Sequence, residues 1–291
     1  MNIRESILQQ MPGISQPQKK FLITLFSTIL LVYGKVNFTN LSRYSYLSEK
    51  TYRRHFLKSF NFPQFNQYFL KEALNPEHTV IAVIDCSFLI KSGKKTDGKG
   101  YFYNGVAGKS EQGLEISVIS LVEIETRLSY SLSVQQTPSC PQIKPAKKRT
   151  QNPKNCWSKK TRKKPDYQSS KPDITRVDDY AQHLKNTRYF FPSSVRYLVA
   201  DGYYYRSQFW EAVRELNLDF IGKLRVDANL RYLYTGEEKK LGAPRKYDGK
   251  VDCHDLSRLN FVEEIKPGVS LYTLVVWSCC LNCQICESLY L

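Results

Sequence analysis

Two apolar runs in this chain, VIAVID (80–85) and LVAD (198–201), each end on an aspartate. Runs that are apolar without alternation fit strands that a sheet buries on both faces, so helices are needed to cover that sheet. An aspartate at the end of such a strand is either a turn residue or a metal ligand held on a rigid edge. The second run continues as DGYYYRSQFW (201–210), and Gly202 frees the backbone for a tight turn directly after the acid. One such end decides nothing, but two in matching settings ask for a common explanation.

The segments around these runs set the order of elements. LEISVISLVEI (114–124) and TRLSYSLSVQQ (126–136) read as antiparallel neighbours. After a polar segment come a helix-like ITRVDDYAQHLKNTRYFF (174–191), the strand VRYLVAD (195–201), an amphipathic helix YYYRSQFWEAVREL (203–216) and the strand LDFIGKL (218–224). Three strands, helix, strand, helix, strand is the order of a mixed α/β sheet rather than of a doubly wound one. The predicted class is α/β: a ribonuclease H-like mixed sheet with flanking helices, preceded by a helical N-terminal domain. In that sheet the first and fourth strands are neighbours, so Asp85 and Asp201 stand together, and paired carboxylates can hold divalent ions for phosphoryl transfer. The bland alternative is that both acids only cap turns.

The first 75 residues read as helical. FLITLFSTILLVYG (21–34) is the most apolar stretch, but it is about 14 residues long where a spanning helix needs ~20, so a buried helix and no membrane are expected. Two short helical pieces follow around 40–45 and 49–59 with a tight turn between them, and Ser48 is the expected N-cap of the second. That piece carries Lys50, Arg53, Arg54 and Lys58, the layout of a helix-turn-helix whose second helix enters a DNA groove. A solvated basic helix is the alternative. The expected division is a DNA-binding domain over 1–76 and a core over 77–291.

The formal net charge is +16, which favours an acidic partner such as DNA. Between 138 and 172 stand eleven Lys and Arg against one acid, Asp166, so +10 of that charge lies in 35 residues. This basic arm includes Lys147, Lys148, Arg149, Lys159, Lys160, Arg162, Lys163 and Lys164, and its Pro, Lys and Ser content suits a loop that follows phosphates. Arg225 joins the candidate DNA contacts. The opening MNIRESILQQ has no secretory pattern, and eight Cys without one suggest reduced thiols in a cytosol.

At these residues the chain resembles the DDE transposases of bacterial insertion sequences. The resemblance runs from about residue 20 to 277 and rests on QKKFLITLFSTILLVYGKVNFTNLSR, EKTYRRHF, VIDCSFLIKSGKKTDG, VADGYYYRSQFW, FIGKLRVDANLRYLYTG and GAPRKYDGKVD. It implies a ribonuclease H-like core, Mg2+ (or Mn2+) as cofactor, hydrolysis at transposon ends and transfer of the freed 3'-hydroxyls into target DNA. It also implies a homodimer when two ends are paired, and a bacterial, cytoplasmic, nucleoid-associated location. Asp85 and Asp201 take the places of the family's first two metal-binding catalytic acids.

The third acid of that family, a Glu on a later helix flanked by Tyr, Arg and Lys, has no matching pattern here. Glu211 and Glu215 follow Asp201 too closely, Glu263 and Glu264 precede a strand at 271–277, and Glu287 stands near the end. After Trp277 the chain reads SCCLNCQICESLYL, four Cys in 14 residues against four in the first 277. The expectation is a core incomplete at its C-terminus, with a tail unselected for the fold. Cys280, Cys283 and Cys286 have metal-like spacing but lack a well-placed fourth ligand. VAGKS (106–110) falls short of a phosphate loop because Tyr103 stands where that motif needs Gly.

Overall fold

The computed structural model describes residues 3–93, 96–139, 175–224, 228–236, 243–252 and 254–290. It opens with five helices: α1 (Ile3–Gln10), α2 (Gln16–Leu31), α3 (Phe38–Arg43), α4 (Glu49–Phe56) and α5 (Phe62–Ala73). Local chemistry sets their starts. Asn37, Ser48 and Asn61 each accept a hydrogen bond from the backbone amide three residues on, and proline stands in the first turns of α2 and α5. Leu8, Met11, Phe21, Leu22, Leu25, Leu41 and Tyr52 form the buried centre of this group. The apolar stretch 21–34 is buried only in its first half. Leu30 is 78% exposed and Tyr33 87% exposed, both beyond Thr28, the last buried residue of α2.

The chain then forms a sheet from β1 (Val80–Ile90), β2 (Gly100–Asn104), β3 (Lys109–Glu123), β4 (Ser129–Gln136), β5 (Tyr197–Ala200) and β6 (Asp219–Gly222). The spatial order is β2-β3-β1-β5-β6, with β4 also paired to β3. β1 runs antiparallel to β3 and parallel to β5, and β5 runs parallel to β6. This is the mixed α/β sheet expected from the sequence, with a helical region before it. Helix α6 (Arg176–Arg188) precedes β5, and α7 (Ser207–Glu215) connects β5 to β6.

Alternation along β3 places Gly113, Glu115, Ser117, Ile119, Leu121 and Glu123 on one buried face. There Ile119 and Leu121 join Ala82, Ile84, Leu198 and Ala200 from the sheet and Tyr180, Leu184, Phe209, Ala212 and Val213 from the two helices. Three details depart from the sequence reading. The β2–β3 hairpin departs from it; its turn, Gly105–Gly108, includes the first three residues of VAGKS. Gly202–Tyr204 form a 3-10 turn, so the helix begins at Ser207 rather than at 203. β1 extends five residues past Asp85, because β3 pairs with it from Val80↔Glu123 to Ile90↔Gly113.

A second sheet holds β7 (Leu230–Leu233), β8 (Tyr247–Lys250), β9 (Asn260–Lys266), β10 (Val269–Ser278) and β11 (Cys283–Tyr290), in the order β11-β10-β7-β8 with β9 on β10. The cysteine-rich tail therefore has a place in the fold: β11 pairs with β10 from Ser278↔Cys283 to Leu271↔Tyr290.

The polar residues on the buried face of β3 carry a pH consequence. His183 of α6 is 2% exposed; its Nδ1 lies 2.9 Å from Ser117 Oγ and its Nε2 2.8 Å from Ser133 Oγ. Burial pushes its pKa down to about 4. Unfolded chain takes up this proton near pH 6.5, whereas the folded chain resists until near 4. The stability present above 6.5 is thus lost progressively as pH falls to 4. Urea titrations between pH 7 and 4 should record a loss of up to roughly 3 kcal/mol from this group. His183→Gln, which cannot titrate, should flatten that part of the profile; an unchanged slope would remove His183 as its source.

Candidate active site

Asp85 lies within β1, at the level where its parallel neighbour β5 stops. The paired residues are Ala82↔Leu198 and Val83↔Val199. Asp85 and Asp201 each follow the last pair by two residues, so the two acids share one level and one face of the sheet. Both are exposed, while Ile84 and Ala200 beside them point to the buried side. The sequence expectation of adjacent acids at this edge matches the register, although the strand end belongs to β5 alone.

The two carboxylates are held differently. Asp201 Oδ1 accepts the Tyr203 amide at 3.0 Å, and the Asp201 carbonyl accepts the Tyr204 amide at 3.2 Å. Asp201 therefore caps the 3-10 turn, as the bland reading expected, but that occupies one of its oxygens. The Asp85 carboxylate makes no hydrogen bond or ion pair among the described residues. Two exposed carboxylates side by side suit a hard, oxygen-seeking divalent ion, which keeps several waters and needs few protein ligands. The donor set fits one such ion.

The three tyrosines after Asp201 divide their roles. Tyr204 is 1% exposed in the main core, Tyr205 hydrogen-bonds through its hydroxyl with Ser278 Oγ of β10, and Tyr203 is 43% exposed. Burial pushes the Tyr203 and Tyr204 hydroxyls up from the ordinary tyrosine range, which argues against either as a nucleophile. Cys280 Sγ, in the β10–β11 turn, donates to the Tyr205 carbonyl at 3.8 Å.

Among the described side chains, none of the sequence candidates for a third acid joins the pair; the Glu287 side chain lies outside them. Glu211 is exposed on α7. Glu215 is tied to Lys185 at 2.6 Å. Glu263 and Glu264 lie on β9 of the second sheet, with Glu264 accepting the Gly268 amide at 3.0 Å. Glu287 pairs through its backbone with Leu274. Among the described residues no group of three His, Cys, Asp or Glu could hold a metal ion. Sequence reasoning missed Glu115, a carboxylate 4% exposed on the opposite face of the sheet. Its signal was available: in LEISVIS it shares the alternating phase of buried Ser117 and Ile119.

In the helical region, α3 and α4 meet across the turn 44–48 with Ser48 as cap, as expected. Lys50, Arg53, Arg54 and Lys58 are all exposed. Arg53 is partly committed: it binds Glu49 at 2.6 Å and lies 5.2 Å over the Phe38 ring. Lys50, Arg54 and Lys58 form no ion pair among the described residues. His55 stacks on Phe21 at 4.3 Å, and burial, then Lys58 and Arg54, hold its pKa below the usual value. Lys147, Lys148, Arg149, Lys159, Lys160, Arg162, Lys163, Lys164 and Arg225 lie outside the described residues.

The family model of the DDE superfamily endonucleases matches residues 67–264, from within α5 to β9. The chain belongs to that family. DDE superfamily endonucleases generally use divalent metals, which agrees with the donor set at Asp85 and Asp201. One similar solved structure is the cryo-EM structure of the piggyBac transposase synaptic complex with hairpin DNA, at 10% identity and a TM-score of 0.35. The similarity covers 93% of this chain and 53% of that one, so this DDE endonuclease chain spans about half the length of that transposase. No curated protein matches the chain. Among the described residues no helix is long and apolar enough to cross a membrane.

Proposed function

We propose that this DDE endonuclease chain is an insertion-sequence transposase acting at transposon ends, with Asp85 and Asp201 holding Mg2+ (or Mn2+). The observation that carries the proposal is the shared level and face of those two acids on β1 and after β5. A divalent ion bound there supplies charge neutralisation at the phosphate being cut. The chain's own part is positional: β1 and β5 fix the two carboxylates, and the Tyr203 amide orients Asp201. DNA is the proposed partner, as end and as target, with a homodimer joining two ends. A bacterial cytoplasm with nucleoid DNA is the matching location.

The helical region over 1–76 is proposed to read end sequence through α4, where Lys50, Arg54 and Lys58 are open for groove and phosphate contacts. The basic arm is proposed to follow the backbone of the same DNA. Each phosphate it neutralises adds about 0.9 to the salt slope of log affinity. Deleting 141–164 should flatten that slope while sequence preference survives. Gel shifts across a salt series check this, and an unchanged slope removes the arm from the DNA contact.

The decisive test is cleavage of end-containing DNA by the 291-residue chain with Mg2+ or Mn2+, beside an Asp85→Ala control. The absence of a third acid near the pair among the described residues favours a second reading: a non-catalytic relative that occupies transposon ends. Binding without cutting supports that relative. Metal-dependent cutting above the control supports the transposase, and failure to bind DNA at all ends both.

A further inference from the structure

On the side of the sheet away from Asp85 lies a buried polar assembly that the proposed chemistry leaves unused. Glu115 of β3 stands opposite Phe88 of β1, three residues past Asp85. Its Oε1 accepts the Tyr180 hydroxyl at 2.6 Å, and its Oε2 lies 3.4 Å from Arg176 Nη1. Arg176 is fixed in turn by the Tyr101 carbonyl at 3.2 Å and by the Phe102 ring 4.9 Å beneath its guanidinium. A carboxylate this deeply buried is costly unless paired, and pairing makes its geometry directional.

The Tyr180 ring then extends from this anchor to the turn after Asp201. Its centroid is 6.3 Å from that of Tyr203 and 5.3 Å from that of Tyr204. Tyr203 supplies the amide that holds Asp201 Oδ1, and Tyr204 is locked between Tyr180 and Phe209, 5.0 Å away. Cys86, the chain neighbour of Asp85, packs against the same core. One buried network thus lies directly behind both acids.

We infer that Glu115, Tyr180 and Arg176 are positioning residues: a strut that holds the 201–205 turn, and with it the Asp201 carboxylate, at the level of Asp85. The inference rests on the proposed metal-binding role of Asp201, and its test separates the two ideas. Tyr180→Phe removes the hydroxyl and keeps the ring. Glu115→Gln keeps an acceptor for Tyr180, whereas Glu115→Leu keeps only bulk.

Hydrogen exchange of the 201–205 amides reads the strut without any metal. Tyr180→Phe and Glu115→Leu should speed that exchange by about tenfold, while exchange in β8 of the second sheet stays at the wild-type rate. Glu115→Gln should restore most of the protection. Mn2+ binding reads the consequence at the acids: the two loosening variants should weaken it by about fivefold or more, and Glu115→Gln much less. Unchanged exchange at 201–205, or acceleration spread equally to β8, would overturn the strut, since the second outcome is only general destabilisation. If the wild-type chain binds no Mn2+ at all, the metal reading of Asp201 falls, and exchange alone still judges the strut.

Discussion

Asp85→Ala should lower Mn2+ affinity by at least about tenfold and leave affinity for end DNA within about twofold, because on the proposed reading Asp85 is one of two carboxylates for the ion whereas DNA is gripped by the basic residues. The substitution is clean, since the Asp85 carboxylate makes no hydrogen bond or ion pair among the described residues and its removal leaves no buried group unsatisfied. Asp201 needs more care. Asp201→Ala also removes the cap on the Tyr203 amide, and lost caps cost about 1 kcal/mol. Asp201→Asn keeps an oxygen for that amide and loses the charge. Asn should therefore match Ala in metal affinity but match the wild type in thermal stability. Whatever metal-dependent cleavage the chain shows should fall by on the order of 100-fold or more in all three variants, because phosphoryl transfer depends on positioning. Calorimetric titration with Mn2+ beside gel shifts decides the matter. Retained affinity in either alanine variant would remove that residue from the site.

The largest effect on stability is expected at Phe209. Its ring is 0% exposed and lies 5.0 Å from Tyr204 and 5.9 Å from Phe220, so it joins α7 to the turn after Asp201 and to β6. Phe209→Ala should cost about 3–5 kcal/mol, the transfer loss plus a cavity between rigid neighbours. Glu211→Ala, two residues along and exposed, should stay within about 0.5 kcal/mol of wild type. Urea unfolding of the pair checks both. A small loss at Phe209 would mean that the neighbouring rings close over the gap.

What the sequence made legible follows from period and capping. VIAVID and LVAD announced two neighbouring strands, and β1 and β5 pair as expected; burial on both faces did not follow, because only alternate residues of each strand are fully buried while the others stay half-covered. Ser48 announced the start of α4 because a hydroxyl before a helical run satisfies a free amide. Other features were set by partners that no local pattern reveals. The length of β1 depends on β3, more than twenty residues away. The exposure of Leu30 and Leu31 depends on what packs on the last turn of α2, which an apolar run does not state. The alternation of LEISVIS gives the face of Glu115 but not its partners, Tyr180 and Arg176, which lie over 60 residues later. The tail showed only its unusual composition, whereas its pairing with β10 depends on backbone groups that composition does not describe.

Helix α5 gives the molecule a fixed length scale. Phe65 and Tyr68 pack on the helical cluster, Leu70 belongs to the core of the sheet, and Asn66 Nδ2 donates to the Leu132 carbonyl at 3.0 Å. A single helix of 12 residues is thus bolted at once to the element proposed to read DNA and to the sheet proposed to cut it. With a flexible joint, a duplex gripped by α4 would present many phosphates to Asp85 and Asp201 in turn. With a shared beam it presents very few, and the number of base pairs between recognition and scission becomes a dimension of the protein itself, altered by adding a turn to α5 rather than by changing any residue that touches DNA.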